Sequence, residues 1–264
     1  MREFNYSSPT SLAEARAAFN ASDDALYLSG GHTLIPAMKQ RLIAPDDVID
    51  LAAVPGLSDI AVEGQMLRVG ALCAHAEVAA SAVVQSSIPG LASLAGAIGD
   101  AQVRRRGTIG GSVANSDPAA DYPAAVLALD AVIETDERQH SADGFFTGMF
   151  ETTVGAGEII TAVSFKVPQK AAYAKFPNPA SRYAMVGVFV ARFTDGYRVG
   201  VTGAAVSAFR WTALESALNA DASAGAAGVA LDGAEFNEDL HATAEYRAHL
   251  VAVMADRALA EIRA

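Results

Sequence analysis

The chain has 264 residues, 52% of them hydrophobic, and a formal net charge of −11. That length supports one large or two modest cores, and the acidity argues against nucleic acid, whose phosphates need clustered Lys and Arg. A single cysteine, Cys73, excludes an intrachain disulfide and leaves the chain unable to supply the usual four thiolates of an iron–sulfur cluster. Five scattered histidines without HExxH or CxxC give no reason to expect a metal. The first residues carry no apolar signal core, and no apolar run reaches bilayer length, so the expectation is a cytoplasmic protein with no transmembrane segment.

In chain order, residues 10–19 read as a short helix capped by Thr10 or Ser11, with Leu12, Ala15 and Phe19 on one side. Residues 25–28 read as a strand that stops at Gly30-Gly31. A helix is expected over 34–42, with Pro36 tolerated near its start, and a strand over 48–51. Pro55-Gly56 marks a boundary. Residues 67–72 read as a strand, 74–80 and 89–98 as helices. The stretch 104–121 is dense in glycine and small polar residues. Residues 122–129 are helix-prone, and 131–135 and 159–167 read as strands.

The character changes after Pro168. Residues 184–193 are a β-type run, Asp195-Gly196 is a hairpin signal, and 197–209 supply one or two more strands. Residues 211–218 read as a helix, and the low-complexity stretch 220–230 as a flexible connection. The chain closes on an amphipathic helix with Tyr246, Leu250, Val253, Met254, Arg257 and Ile262 near helical spacing. A domain boundary is placed near residue 170.

Two segments carry the chemistry. The first is Ser29-Gly30-Gly31-His32-Thr33-Leu34, between a strand and a helix. The second is Thr108-Ile109-Gly110-Gly111-Ser112-Val113-Ala114-Asn115, followed by Ser116-Asp117-Pro118-Ala119-Ala120-Asp121. A diphosphate needs several N–H donors at close range, and glycine removes the side chain that would block them. A helix starting just after such a turn adds a favourable dipole. Two such loops can grip one diphosphate from both sides, with Thr33, Thr108 and Ser112 adding hydroxyls. Paired glycines also occur in plain turns, and spacing alone does not name the nucleotide. No GxGxxG or GxxxxGK[ST] is present. Gly110-Gly111-Ser112-Val113-Ala114 misses the nucleophile elbow because Ala114 replaces its last glycine.

These loops resemble those of the FAD-binding medium subunits of the xanthine dehydrogenase and carbon monoxide dehydrogenase family of molybdenum hydroxylases. Such subunits carry AGGHSLIPxMKxRL and QVRNRGTIGGSxANxDPAAD. The matching stretches here run from Ser29 through Leu42 and from Gln102 through Asp121. The likeness extends to Asp50-Leu51 with Pro55-Gly56-Leu57, to Gly70-Ala71-Leu72 with His75, to Phe145-Phe146-Thr147-Gly148, and to Glu245-Tyr246-Arg247 with His249-Leu250.

The resemblance implies an α+β chain. A PCMH-type FAD-binding domain would cover 1–170, in subdomains of about 1–55 and 56–170. A smaller C-terminal α+β domain, a three-stranded antiparallel sheet with helices, would cover 171–264. It implies FAD as cofactor, with Ser29, Gly30, Gly31, His32, Thr33 and Leu34 and with Thr108, Ile109, Gly110, Gly111 and Ser112 at the ADP and pyrophosphate. Asn115, Asp117 and Asp121 would lie along the ribityl or adenosine part, and Ile160 beside the cofactor. Lys175 would stand near the flavin ring, where a cation stabilises negative charge gained on reduction; an exposed lysine at a strand end is the alternative. Tyr183 would shield one flavin face, or serve simply as core. The chain has Arg182 where the family often has Asp, Arg105 where Asn is frequent, and Ser29 where Ala is usual. The implied role is an electron relay with no catalytic side chain of its own. Its partners would be a molybdopterin-binding large subunit and a small subunit with two [2Fe–2S] clusters, commonly in a dimer of heterotrimers. Its external acceptor would be NAD, a quinone or oxygen. A self-contained flavin oxidoreductase of the same fold and a non-catalytic nucleotide-binding module are the rival readings.

Overall fold

A computed structural model describes residues 1–231 and 235–264. Among the described residues three larger sheets of different construction follow one another along the chain, and a two-stranded ladder pairs Phe146–Gly148 with Glu151–Thr152. The first is parallel, with Asp47–Asp50 between Asn5–Ser7 and Ala25–Leu28. Parallel strands need crossovers, and helices Leu12–Asn20 and Leu34–Lys39 lie in the two connections. The first helix starts two residues after Thr10 because Ser11 is its cap. Ser11 Oγ accepts from Glu14 N at 3.2 Å, and the Glu14 carboxylate accepts from Thr10 N at 2.8 Å. The second helix stops at Lys39, short of Leu42, because Arg41 turns into the left-handed region at φ +62°.

The second sheet is antiparallel and five-stranded, in the order Ile60–Glu63, Met66–Gly70, Ile160–Lys166, Val132–Thr135, Gln139–Ser141. The glycine-rich stretch 104–121 is more helical than its composition suggests. It contains the end of helix Ala101–Arg106 and the whole of helix Ile109–Asn115. The buried helix Tyr122–Ala128 completes the covering layer.

The third sheet joins Lys170–Pro177, Ala184–Phe193 and Gly196–Thr202 antiparallel, and Phe209–Arg210 adds a two-residue fourth strand at the edge. Ala184–Phe193 is apolar at nearly every position because both of its faces are covered. Phe189, Ala191 and Phe193 enter the core of the second sheet. Val186, Val188 and Val190 face helix Ala244–Arg263.

The closing helix buries Leu250, Met254 and Ile262 of the expected stripe, but not Tyr246, Val253 or Arg257. Val251, Met254, Ala258 and Ile262 are inside, while Tyr246 is 43% exposed and Arg257 is exposed. Ala255 and Ala258 are fully buried, and their small side chains let the helix pack close to its neighbours. Arg247 is buried, donating to Met185 O at 2.9 Å, Gly203 O at 3.0 Å and Asp239 Oδ2 at 2.7 Å. Residues 220–230 are fastened rather than loose. Ala226 N donates to Asp256 Oδ1 and Trp211 Nε1 donates to Ala230 O, each at 2.7 Å.

The second and third sheets are joined at Gly200, where an added Cβ would overlap the Ala124 carbonyl of helix Tyr122–Ala128. Gly200→Ala is therefore expected to lower stability by about 1 to 3 kcal/mol, the usual cost of overpacking. Denaturant unfolding of both proteins reads this, and an unchanged midpoint would show that the two layers are not in firm contact.

Candidate functional site

A cavity of about 520 Å³ opens where the first two sheets and the loop after Lys170–Pro177 converge. Strand Ala25–Leu28 delivers residues 29–33 to its wall, and Gly31 takes φ +72°, which a larger residue would resist. Ile35 N donates back to Gly31 O and Ala37 N to Thr33 O, starting the helix. Among the described residues the N–H groups of Gly30, Gly31, His32 and Thr33 meet no acceptor. Four consecutive open donors on a cavity wall form an anion-binding surface.

The second glycine pair works differently. Ile109 N donates to Cys73 O at 3.1 Å, Gly110 N to Ala71 O at 2.8 Å, and Ser112 N to Thr108 O at 3.0 Å. Gly111 N donates to Thr108 Oγ1 at 3.1 Å, the side-chain cap of helix Ile109–Asn115. These N–H groups are engaged within the protein, so the two turns are not equivalent backbone cradles. What the second turn offers is hydroxyls and space. Ser29 Oγ and Thr108 Oγ1 lie 2.7 Å apart, tying one turn to the other. At Gly30 a Cβ would overlap the Arg106 carbonyl, and at Gly110 it would strike Ala71. At Gly111 it would meet only Thr108 Oγ1 at 3.0 Å and the Ser29 side chain at 3.9 Å. The first two glycines permit chain packing, and Gly111 keeps the cavity clear.

Most residues singled out from the sequence come together here. Ser29, Gly30, Gly31, His32, Thr33 and Leu34 line one side. Thr108, Gly110, Gly111, Ser112, Asn115 and Asp117 line another. Asp121, Ile160 and Tyr183 complete the set. Ile109 does not line the cavity; it is fully buried in the core beneath. Lys175 does not line it either. It is no exposed strand-end lysine, for its side chain is 7% exposed and its Nζ lies 2.8 Å from Asp121 Oδ1. Tyr173 OH also donates to Asp121, at 2.6 Å. Burial pushes the Asp121 carboxyl up, and Lys175 and Tyr173 pull against that shift. Tyr183 is 50% exposed at the mouth and is not core.

Two further wall residues were not distinguished as site residues by sequence reasoning. Glu158 is almost fully buried and accepts from Gly155 N at 2.7 Å, Thr135 Oγ1 at 2.7 Å, Arg138 Nη2 at 3.0 Å and His140 Nε2 at 2.8 Å. Burial alone would raise its carboxyl, but these donors outweigh it and hold the group well below the usual range. Its only sequence signal is an acid just before Ile159-Ile160. His75 is 5% exposed, and its Nδ1 has no partner among the described residues. Burial, helped by nearby His32 and Arg104, presses its pKa down to about 4.

Open donors, hydroxyls, a glycine that leaves room and an unpartnered imidazole nitrogen around one cavity fit an extended, doubly anionic dinucleotide. Residues 2–169 match the profile of a family described as the FAD binding domain in molybdopterin dehydrogenase. The chain belongs to that family. It is 35% identical to the carbon monoxide dehydrogenase medium chain of Hydrogenophaga pseudoflava, over 97% of this chain and 96% of the relative. It is 33% identical to the nicotine 6-hydroxylase medium subunit of Paenarthrobacter nicotinovorans, with the same coverages. A solved structure of the H. pseudoflava carbon monoxide dehydrogenase superposes with a TM-score of 0.92 at 33% identity, covering 99% of this chain and 98% of that one. This is an α+β FAD-binding medium subunit of a molybdenum hydroxylase, an oxidoreductase component whose cofactor is FAD. Among the described residues no helix is long and apolar enough to cross a membrane.

Gly111→Val in this medium subunit is expected to abolish FAD retention while leaving the fold intact, because the new side chain points into the cavity. Flavin content after gel filtration, with circular dichroism as the control, decides it; native-level retention would remove Gly111 from the site. A second expectation concerns acid. The folded pKa of His75 lies below its ordinary 6.5, so between about 6.5 and about 4 the unfolded chain binds the extra proton. Stability of the flavin-free chain should fall as pH drops through that window, by at most on the order of 3 kcal/mol from this group. In His75→Gln that part of the unfolding profile should flatten; a profile identical to wild type would mean that His75 is not held neutral.

Proposed function

We infer that this subunit relays electrons within a cytoplasmic complex. Bound FAD supplies the chemistry, since a flavin accepts single electrons and can release a pair. The donors would be the [2Fe–2S] clusters of a small subunit, fed in turn by a molybdopterin-binding large subunit, and the recipient an external acceptor such as NAD, a quinone or oxygen. The names of the relatives, medium chain and medium subunit, support a multi-subunit setting. One cysteine in the whole chain supports a donor located on another one. A dimer of heterotrimers is the assembly proposed.

The observation that carries the reading is the row of open N–H donors at residues 30–33 on the wall of a cavity that the Ser29 and Thr108 hydroxyls also line. In this assignment those groups, with Ser112, hold the diphosphate. Asn115, Asp117 and Asp121 offer polar contacts along the cofactor, and Ile160 and Tyr183 flank its ring. Lys175 acts through Asp121, keeping a buried carboxylate balanced at the cavity wall. Residues 1–170 form the flavin domain, in parts of about 1–55 and 56–170, and 171–264 a domain that closes over its mouth.

The purified chain, refolded with excess FAD, should be yellow with a band at about 450 nm. It should turn over no substrate by itself and gain activity only with its two partners. A colourless protein after reconstitution refutes flavin binding, and full turnover by the isolated chain refutes the relay.

A further inference from the structure

Beside the cofactor cavity lies a smaller one of about 310 Å³, walled by Ala97, Lys175, Pro177, Asn178, Pro179 and Arg182. Arg182 borders both cavities. No carboxylate lines the smaller one, although the chain carries a net charge of −11. Lys175 adds little free charge, because its Nζ is bound by Asp121 and donates to Ala97 O at 3.2 Å. Arg182 is the open cation. Among the described residues no carboxylate lies within ion-pair distance of it.

The loop presenting Arg182 is built rather than slack. Arg182 sits at φ +62°, a conformation that a non-glycine residue keeps only when its surroundings impose it. Arg182 N donates to Asn178 O at 2.9 Å, and Asn178 N donates to Tyr183 O at 2.8 Å, closing the loop on itself. The Asn178 side chain, buried beneath, accepts from Ala180 N at 2.9 Å and Ser181 N at 3.1 Å. The loop thereby holds Arg182, with Tyr183, on the lining of the cofactor cavity.

We propose that the loop 178–183 holds an anion site for the external electron acceptor, with Arg182 as its charged contact, so that this chain favours phosphate-bearing acceptors over neutral ones. The proposal rests on the electron-relay reading above. A guanidinium pairs with a phosphate through two parallel N–H donors, which fixes orientation as well as affinity. A neutral quinone or dioxygen gains nothing from it. The proline walls of the smaller cavity give the rest of such a ligand an apolar bed.

The test uses the FAD-loaded chain and ADP-ribose, which carries a diphosphate and no redox group. Binding is followed by the flavin difference spectrum and by calorimetry, with flavin content measured in the same samples. Wild type should bind ADP-ribose saturably and more weakly as salt rises. Arg182→Ala should weaken binding about tenfold, the loss expected for one charge-assisted contact, Arg182→Lys should fall between, and Arg182→Glu should bind none. Adenosine, lacking phosphate, should not distinguish the four proteins. Equal ADP-ribose affinity in wild type and Arg182→Glu overturns the proposal, as does absence of saturable binding by flavin-loaded wild type. Loss of flavin from both Arg182→Ala and Arg182→Glu would place the residue in cofactor retention instead, and also overturns it. A wild-type chain that holds no flavin would sink the electron-relay reading itself, a separate outcome.

Discussion

The approach of two chain turns, 79 positions apart in sequence at Ser29 and Thr108, is what the rest of this structure depends on. The Arg106 carbonyl lies where a side chain on Gly30 would be, so only glycine permits the contact. That contact brings the small parallel sheet against the larger antiparallel one. It also gives the turns different duties. The turn at 108–112 spends its N–H groups on Cys73, Ala71 and Thr108, making it the fixed wall. The turn at 30–33 is then held against that wall with its own donors open.

Electrostatics around the cavity follow from this arrangement. The chain is acidic, yet two buried carboxylates on the wall are neutralised in place, Asp121 by Lys175 and Glu158 by Arg138. His75 is kept uncharged by burial, helped by nearby His32 and Arg104. Two of the carboxylates at the site are therefore balanced in place, while among the described residues Asp117 on the same wall accepts only from Ala119 N, at 2.9 Å. The Glu158 network also pins residues 155–158, the approach to the Ile160 wall, through Gly155 N and the Thr135, Arg138 and His140 side chains.

The third sheet is part of the site and not an appendage. Strand Ala184–Phe193 shares its residues between two cores, and neighbouring Lys170–Pro177 delivers Tyr173 and Lys175 to Asp121. The connection between these strands carries Arg182 and Tyr183 to the cavity mouth. Removing this sheet would unpair the buried Asp121 carboxylate and uncover the buried helix Tyr122–Ala128 at once.

Local pattern determined much of this protein in advance. The glycine pairs with hydroxyl flanks marked the two turns that line the cavity, the strand-to-turn-to-helix order around Gly30-Gly31 followed from composition, and 184–193 read as a β run without showing that both of its faces are covered. The full motifs, not the spacing, carried the family and its cofactor. Tertiary structure alone decided which donors remain open, because the acceptors that occupy Ile109, Gly110 and Gly111 belong to residues distant or turned back on themselves. It alone placed Ile109 in the core, locked Lys175 onto Asp121, and turned Val251, Ala255, Ala258 and Leu259 of the last helix inward. Hydrogen-bond partners and buried charge pairs are properties of three-dimensional proximity. Hydrophobic period and glycine placement report only what each segment prefers by itself.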